Sequence, residues 1–281
     1  MDLSSIIEIA TVSDTGLKRP HNEDSAVTSA AAGFAVVADG MGGYRAGEVA
    51  SAIAAKCIVD KIEAGLAQAH AVNEKGESGL RAESDLIHAA IDEANTHIFQ
   101  TAQNVQQCQG MGTTVVAILL YDNIATIAHV GDSRIYRLRD EVLSQVTNDH
   151  SLVQELIDRG FFTAEEAEAN TPKNLVTRAL GIDGKVEIDV AEEAVKPNEI
   201  YLLCSDGLND MVNDEDIRLT LSKYSGNLHE AATELVRLAN DMGGKDNISV
   251  VLVRPKSTFP ADMGMLSKIK NIFSGKARKA R

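Results

Sequence analysis

Four strand-like apolar runs stand almost end to end between residues 113 and 146, and that crowding limits the folds open to this chain. They are Thr113 to Tyr121, Ile124 to Val130, Arg134 to Leu138 and Val142 to Val146. Two of the breaks between them, Tyr121-Asp122-Asn123 and Arg139-Asp140-Glu141, have the length and residue types of hairpin turns. Breaks that short cannot hold the crossover a parallel pair needs, so these strands pair antiparallel. A second strand-rich region lies near the start, at Ile6 to Ala10, Ser25 to Thr28 and Phe34 to Ala38. Between the regions, Ala46 to Gln68 carries Val49, Ile53, Cys57, Ile58 and Ile62 near helical spacing. Ser84 to Ala102 does the same with Leu86, Ile87, Ala90, Ile91, Ala94 and Ile98. Asp214 to Ser222 and Leu228 to Met242 read as helices, and Ile248 to Val253 as a last strand. Two helix pairs covering two antiparallel sheets make an α+β fold, a four-layer α/β/β/α sandwich.

Residues 1–255 read as one domain. Asp149 to Asn174 interrupts it with a helix-like DHSLVQELIDRG and a polar TAEEAEANTPKN, too long for a simple turn and expected to form a small flap. Residues 256–281 form a basic tail with seven Lys or Arg and one Asp; the chain's net charge is −14, so the preceding 255 residues carry about −20. An acidic body repels nucleic acid and gathers cations. In the tail, Met265, Leu266, Ile269, Ile272 and Phe273 fall near one helical face beside Lys268, Lys270 and Lys276, which suits either a solvated end or a docking helix for an acidic partner or an anionic membrane surface. No apolar run approaches the roughly 20 residues of a membrane span. The opening MDLSSIIEIATVSD lacks the pattern of a signal peptide. Three widely spaced cysteines, an odd number in apolar contexts, predict reduced thiols and a cytoplasmic location.

The chemistry lies in four aspartates placed where apolar runs start or stop: Asp39 in VVADGMGG, Asp132 in AHVGDSR, Asp206 in LLCSDGL and Asp246 in GGKDNISVV. A carboxylate at a strand end is aimed yet accessible. Several converging from distant parts of a chain repel one another unless a divalent cation sits between them. In KRPHNEDS, strand alternation puts Glu23 and Asp24 on opposite faces, so one of the two is expected to face a given site. An all-oxygen set favours Mg2+ or Mn2+, and no His/Cys spacing suits zinc. The glycines of DGMGG fit neither a dinucleotide fingerprint nor a P-loop. None of the cysteines begins a Cys-x5-Arg motif, which excludes a cysteine-dependent phosphatase mechanism.

Taken in order, SDTGLKRPHNEDS, VADGMGG, AGEVAS, GMGTT, HVGDSRIYRL, NDHSLVQEL, NLVTRALG, LLCSDGL and GGKDNIS resemble the metal-dependent protein phosphatases, the type-2C serine/threonine phosphatases, in their compact bacterial form. The match covers roughly residues 8 to 254. The resemblance implies the four-layer phosphatase fold and a binuclear Mn2+ or Mg2+ centre. In it Asp39 bridges both ions, Glu23 and the Gly40 carbonyl complete one, and Asp206 and Asp246 the other. It implies that Arg19 binds the substrate phosphate, a bidentate task that Lys18 cannot do. It implies a third ion at Asp132 with Asp206 and Asp210, supporting roles for Asp24 and Asn247, and structural ones for Thr113, Asp149 and Arg178. Bridging water would attack phosphorus in line, with no phosphoenzyme. Substrates would be phosphoserine and phosphothreonine proteins, and the enzyme, a monomer, would reverse a bacterial Ser/Thr kinase. Two departures stand out: Met41 occupies the position of a histidine proposed as general acid in many eukaryotic relatives, and NTPKN has no His before Pro172. His21, His129 and His150 are read as structural. A phosphoprotein-binding module without catalysis is the alternative, and loss of a metal carboxylate would favour it; none is lost. A two-metal phosphodiesterase fits less well, because Arg19 precedes the Asn-Glu-Asp run and histidine ligands are missing.

Overall fold

The computed structural model describes residues 2–43, 45–68, 79–172 and 175–259. The strands are β1 (Ile7–Asp14), β2 (Asp24–Ser29), β3 (Phe34–Met41), β4 (Gly112–Thr113), β5 (Val115–Tyr121), β6 (Ile124–Val130), β7 (Arg134–Arg139), β8 (Val142–Gln145), β9 (Asp189–Ala194), β10 (Ile200–Cys204) and β11 (Ile248–Pro255). The helices are α1 (Ala46–Gln68), α2 (Ala82–Asn104), α3 (Leu152–Asp158), α4 (Ala164–Asn170), α5 (Asp206–Asn209), α6 (Asp214–Lys223) and α7 (Leu228–Asp241). One sheet runs β1-β11-β10-β7-β8; the other runs β2-β3-β5-β6-β9, with β4 on β3. All named pairs are antiparallel.

The two short breaks are hairpin turns. Asp122 and Asn123 have φ of 46° and 60°, and Asp140 and Glu141 have 51° and 62°. Two successive left-handed residues match the right-handed twist of the flanking strands.

Three apolar layers separate the four structural ones. Outward residues of β3 and β5 (Phe34, Val36, Val115, Ala117) pack under α1 and α2. Inward residues of both sheets (Ala35, Val37, Val116, Ile118, Tyr201, Leu203, Val251, Val253) interlock in the middle. Tyr136, Leu202, Val250 and Leu252 pack on the far side under Ile217, Leu221, Leu235 and Ala239 of α6 and α7. This is the α/β/β/α sandwich that the periodicity predicts.

Local details differ from the periodicity. The face α1 buries is small: Ala46, Ala50 and Ala54 lie against the sheet with Ile58 and Ile62, while Val49 is 37% exposed. Alanine lets the helix approach β3 closely. Within the 149–174 stretch, Ala164–Asn170 forms a helix, where Thr163 and Glu166 make a reciprocal capping box. The acidic β9 was not predicted as a strand. Its Glu193 pairs with Arg137, and Glu192 accepts hydrogen bonds from Ser84 Oγ (2.6 Å) and the Arg81 N–H (2.8 Å). The body's contacts continue to Phe259, which is buried and whose N–H donates to Asn123 Oδ1 at 2.8 Å. The expected tail helix, from Met265 on, lies outside the described residues. Among the described residues no helix is long and apolar enough to cross a membrane, and the three cysteines are free thiols.

Candidate metal centre

Period-two alternation carries the inner face of both sheets from apolar to polar at one end of the sandwich. Ala35 and Val37 are followed by Asp39, and Tyr201 and Leu203 by Ser205. Val253 and Val251 are followed by Ser249 and Asn247. The slot between the sheets therefore ends in oxygen and nitrogen atoms.

Asp39 faces Asp24 across the β2–β3 ladder. On its other side two threonines hold its backbone: Thr113 Oγ1 donates to the Asp39 carbonyl (2.8 Å), and the Asp39 N–H donates to Thr114 Oγ1 (3.1 Å). Thr113 thus has the structural role expected of it. Asp24 lies beneath the cleft, where its Oδ2 accepts from Ser205 Oγ at 2.8 Å. Glu23, one residue before β2, lines the cleft itself. Of the pair, Glu23 is the one that lines the cleft, and Asp24 faces Asp39 from the first residue of β2.

Asn247 ties the site's distant parts together. Its Oδ1 accepts from the Glu23 N–H (2.8 Å), and its Nδ2 donates to the carbonyls of Thr15 and His21 (2.9 Å each). The loop carrying Arg19 is thereby pinned to the start of β11, next to Asp246. Gly16 (φ +75°) completes the closure, since a Cβ there would lie 2.1 Å from the Asp246 carbonyl oxygen. Arg19 Nη2 donates to Asp246 Oδ2 at 2.6 Å. Gly207 similarly lets α5 press on β11, and this sets Asp206 at the slot's mouth; a Cβ there would lie 2.0 Å from the Asn247 carbonyl oxygen.

Glu23 and Gly40 meet against the first turn of α1. The Gly40 N–H and Ser51 Oγ both donate to the Glu23 carbonyl (3.2 and 2.6 Å). A Cβ on Gly47 would lie 2.6 Å from the Gly40 carbonyl oxygen and 2.8 Å from Glu23 Oε2. Alanine is the better helix former by about 1 kcal/mol, yet here its methyl would enter the space beside two candidate ligand oxygens. Gly47→Ala is therefore expected to weaken metal binding at least tenfold in a calorimetric titration; unchanged affinity would remove the Glu23–Gly40 pair from the centre.

The cleft, about 210 Å³, is lined by Glu23, Asp39, Asp132, Asp206 and Asp246 with Arg19 as the one cation among the described residues, together with Gly40, Met41, Gly42, Thr114, Val176 and Asn247. Burial, reinforced by Asp24, Asp206 and Asp132, pushes the Asp39 carboxyl well above the carboxylate range. Burial and the charges of Asp132, Asp246 and Asp210 do the same to Asp206. Burial first, with the charges of Asp149 and Asp210, pushes Asp132 up to about 6, and burial pushes Asp24 to about 6. Two buried carboxylate oxygens, Asp24 Oδ1 and Asp206 Oδ1, have no hydrogen-bond partner. Crowded, desolvated carboxylates with orphaned oxygens are the donor set that hard divalent cations satisfy. Mg2+ or Mn2+ fits these residues.

Asp210 is absent from the cleft lining, although its charge reaches Asp132 and Asp206 and its N–H donates to the Asp206 carbonyl (2.8 Å). Asp149 receives Arg134 Nε (3.0 Å) and Nη2 (2.7 Å), a structural ion pair as expected. His129 stacks on His150 with ring centroids 4.6 Å apart. With Asp189 they form a trio whose ligand atoms lie within 4.8 Å of one another. His150 Nδ1 accepts the Gly131 N–H (3.1 Å), so its proton sits on Nε2, which points to Asp189 Oδ2 (3.4 Å), while Arg178 Nη1 donates to Asp189 Oδ1 (3.1 Å). A proton and a guanidinium already occupy the place a cation would take. The trio is an internal network, with Arg178 structural, and burial lowers the pKa of both imidazoles. The sequence assigned no role to Thr114, Ser205, Ser249 or Gly47, although AGEVAS contained both Gly47 and Ser51.

Fold and site together define a two-sheet α/β/β/α protein with a polycarboxylate, oxygen-only cation centre at one end of the inter-sheet slot. Residues 19–242 match the protein phosphatase 2C family, and the chain belongs to that family. Asp246 and Asn247 lie beyond that matched stretch, so their place in the site comes from the geometry. The chain is 40% identical over 243 residues to the serine/threonine phosphatase stp of Listeria monocytogenes, covering 85% of this chain and 92% of that one. It is 37% identical over 251 residues to the protein phosphatase PhpP of Streptococcus pneumoniae, covering 88% and 97%. Among solved structures, the catalytic domain of the serine/threonine protein phosphatase PstP in complex with two manganese ions aligns with a TM-score of 0.76 at 36% identity, covering 89% of this chain and 98% of that one.

Proposed function

We propose that this chain hydrolyses phosphoserine and phosphothreonine on proteins, using a binuclear Mn2+ or Mg2+ centre, and reverses the action of a Ser/Thr kinase. The observation that carries the reading is the half-buried carboxylate cluster with orphaned oxygens, standing beside one half-exposed arginine. Asp39 would be shared between two ions, with Glu23 and the Gly40 carbonyl on one side and Asp206 and Asp246 on the other; Asp132, Asp206 and Asp210 would hold a third. Cations there supply charge neutralisation, Lewis acidity and a water made nucleophilic at neutral pH. The protein's own part is positional. Asn247 and Gly16 fix the Arg19 loop against Asp246, and Thr113 and Thr114 fix the Asp39 backbone. Arg19, 53% exposed, reaches from its ion pair toward a phosphate at the cleft mouth, where its fork meets two oxygens at once. Met41 lines the cleft and cannot donate a proton, so no side chain at that position serves as general acid.

Hydrolysis of p-nitrophenyl phosphate and of a phosphothreonine peptide tests this reading. Mn2+ should activate both reactions and EDTA abolish them. Full activity in EDTA, with no metal in the protein by mass spectrometry, overturns it. Arg19→Ala should keep the metals while losing about ten- to a hundredfold in kcat/KM, the worth of a charge-assisted bidentate contact. Arg19→Lys should recover little of that loss. Unchanged kinetics would remove Arg19 from the phosphate site.

A further inference from the structure

A second depression of about 250 Å³ adjoins the carboxylate cleft, with Met41 and Val176 lining both. Its opposite wall is Ile182, a branched apolar side chain that is 48% exposed. Gly112 lies against both side chains: a Cβ there would lie 2.9 Å from Ile182 Cδ1 and 3.1 Å from Met41 Cε. The absent side chain lets Ile182 and Met41 close over it as one apolar surface. The turn that presents Ile182 is clamped from below. Buried Asn95 of α2 accepts the Gly181 N–H on its Oδ1 (2.8 Å) and donates from Nδ2 to the Asp183 carbonyl (3.2 Å). Gly181 itself has φ +85°, and a Cβ there would meet Ile98 Cγ2 at 2.2 Å. A buried amide, two special glycines and a core isoleucine thus hold an exposed apolar residue in one fixed place beside the site. Exposed turns usually carry polar residues, and an apolar one held this rigidly is a built contact surface. Arg178 is occupied by Asp189 (3.1 Å) and Glu187 (3.3 Å), and the lining's cations Arg178 and Lys185 are balanced by Asp183 and Glu187, so the groove is not a second anion site.

We infer that this groove seats an aliphatic side chain of the phosphopeptide close to the phosphorylated residue, and that Ile182 is a specificity-determining residue. The inference rests on the phosphoprotein reading above. Its occupant follows from continuity. A chain whose phosphate enters the carboxylate cleft passes over the Met41–Val176 divide, and what lies beyond sets the apolar Ile182 and Val186 among the charged Asp183, Lys185 and Glu187. The phosphate-bearing residue is fixed by the cleft, and the neighbouring side chain gains from leaving water. The pocket does not touch the reacting atoms, so it acts on discrimination between substrates.

The test uses phosphothreonine peptides in a Gly/Ser background, with one leucine placed in turn at each of three positions on either side of the phosphorylated residue. Leucine at one position should raise kcat/KM of the wild-type enzyme about tenfold over the background peptide, the scale of one well-seated aliphatic group. Ile182→Ser should reduce that ratio to near one, and Ile182→Val should retain most of it. Turnover of p-nitrophenyl phosphate should stay within about twofold in both variants. The readout is a ratio between peptides on the same protein, so loss of folded material cancels. No preference at any position in the wild type, or a preference that survives in Ile182→Ser, overturns the groove assignment while leaving the phosphatase reading intact. Wild-type turnover of p-nitrophenyl phosphate with none of any phosphopeptide overturns both.

Discussion

Asp39→Asn is expected to cut turnover by about a thousandfold or more, in line with losing a central electrostatic group, and also to make the metal-free protein more stable. The two effects have one cause. Asp39 sits half-buried among Asp24, Asp206, Asp132 and Asp246, and its carboxyl is pushed well above the usual range. The folded state holds the Asp39 proton more tightly than the unfolded chain does. Ionising it therefore costs stability above the folded pKa, and that cost vanishes below about 4, where both states are protonated. Asparagine removes the charge at every pH. In EDTA at pH 7.5 the variant should melt higher than wild type, and the gap should shrink as pH falls. Wild type in EDTA should itself gain stability between about pH 7 and 5, because Asp24 and Asp132, pushed up to about 6, also take up protons in that window. With Mn2+ present the order should reverse, since the wild type alone gains the binding free energy. Calorimetric titration and melting curves in EDTA and in Mn2+ check this. A variant that binds Mn2+ normally, or melts lower in EDTA at pH 7.5, would show that Asp39 is not the shared centre.

The fold was legible where local chemistry decides it. Asp122-Asn123 and Asp140-Glu141 mark turns because the chain must go left-handed there, and short polar residues tolerate that best. The apolar residues of α2 recur at helical spacing, and most of them are buried. β9 was illegible because its acidic residues are satisfied by Arg137, Ser84 and the Arg81 N–H, partners set by tertiary structure alone. Val49 helped to mark the helix yet lies outside for a related reason: the close approach of α1 to β3 selects alanine for the buried face. The aspartates of the cleft were legible as strand-end residues with small or amide neighbours. Their supports were not. Ser205 matters because β10 brings its hydroxyl under Asp24, 181 residues away in sequence. Asn247 matters because its amide reaches three points of the loop before β2. Such roles depend on register between strands far apart in the chain. Ile182 is the extreme case, an isolated apolar residue in a turn whose meaning comes entirely from Asn95 beneath it and Met41 across from it.

Asp132→Asn should separate the shared centre from the proposed third ion. Asp132 stands after β6, on the side of the cleft toward Asp149 and Asp210, whose charges raise its pKa. It is 7% exposed, and the preceding Gly131 packs against Thr114, where a Cβ would lie 2.6 Å from the threonine Cβ. Glu23, Gly40 and Asp246 lie with the β2, β3 and β11 strand ends, so removing Asp132's charge leaves their donor set complete. The variant is expected to keep two ions at near wild-type affinity and lose about ten- to a hundredfold in kcat, if the third ion contributes charge stabilisation of the size seen for single electrostatic groups. A pH signature accompanies this. A ligand with a pKa of about 6 binds its cation in competition with a proton, so third-ion occupancy should rise with pH through that range. At limiting Mn2+, wild-type kcat should climb between about pH 5 and 7 and the variant's should be flatter; raising Mn2+ should shift the wild-type curve to lower pH. Loss of the two tight ions from Asp132→Asn as readily as from Asp39→Asn would mean that the cleft is one undivided site. Full kcat at every Mn2+ concentration would leave the third position without a catalytic role, and Asp132 would then be a buried acid whose cost the fold carries only to shape the turn at Gly131.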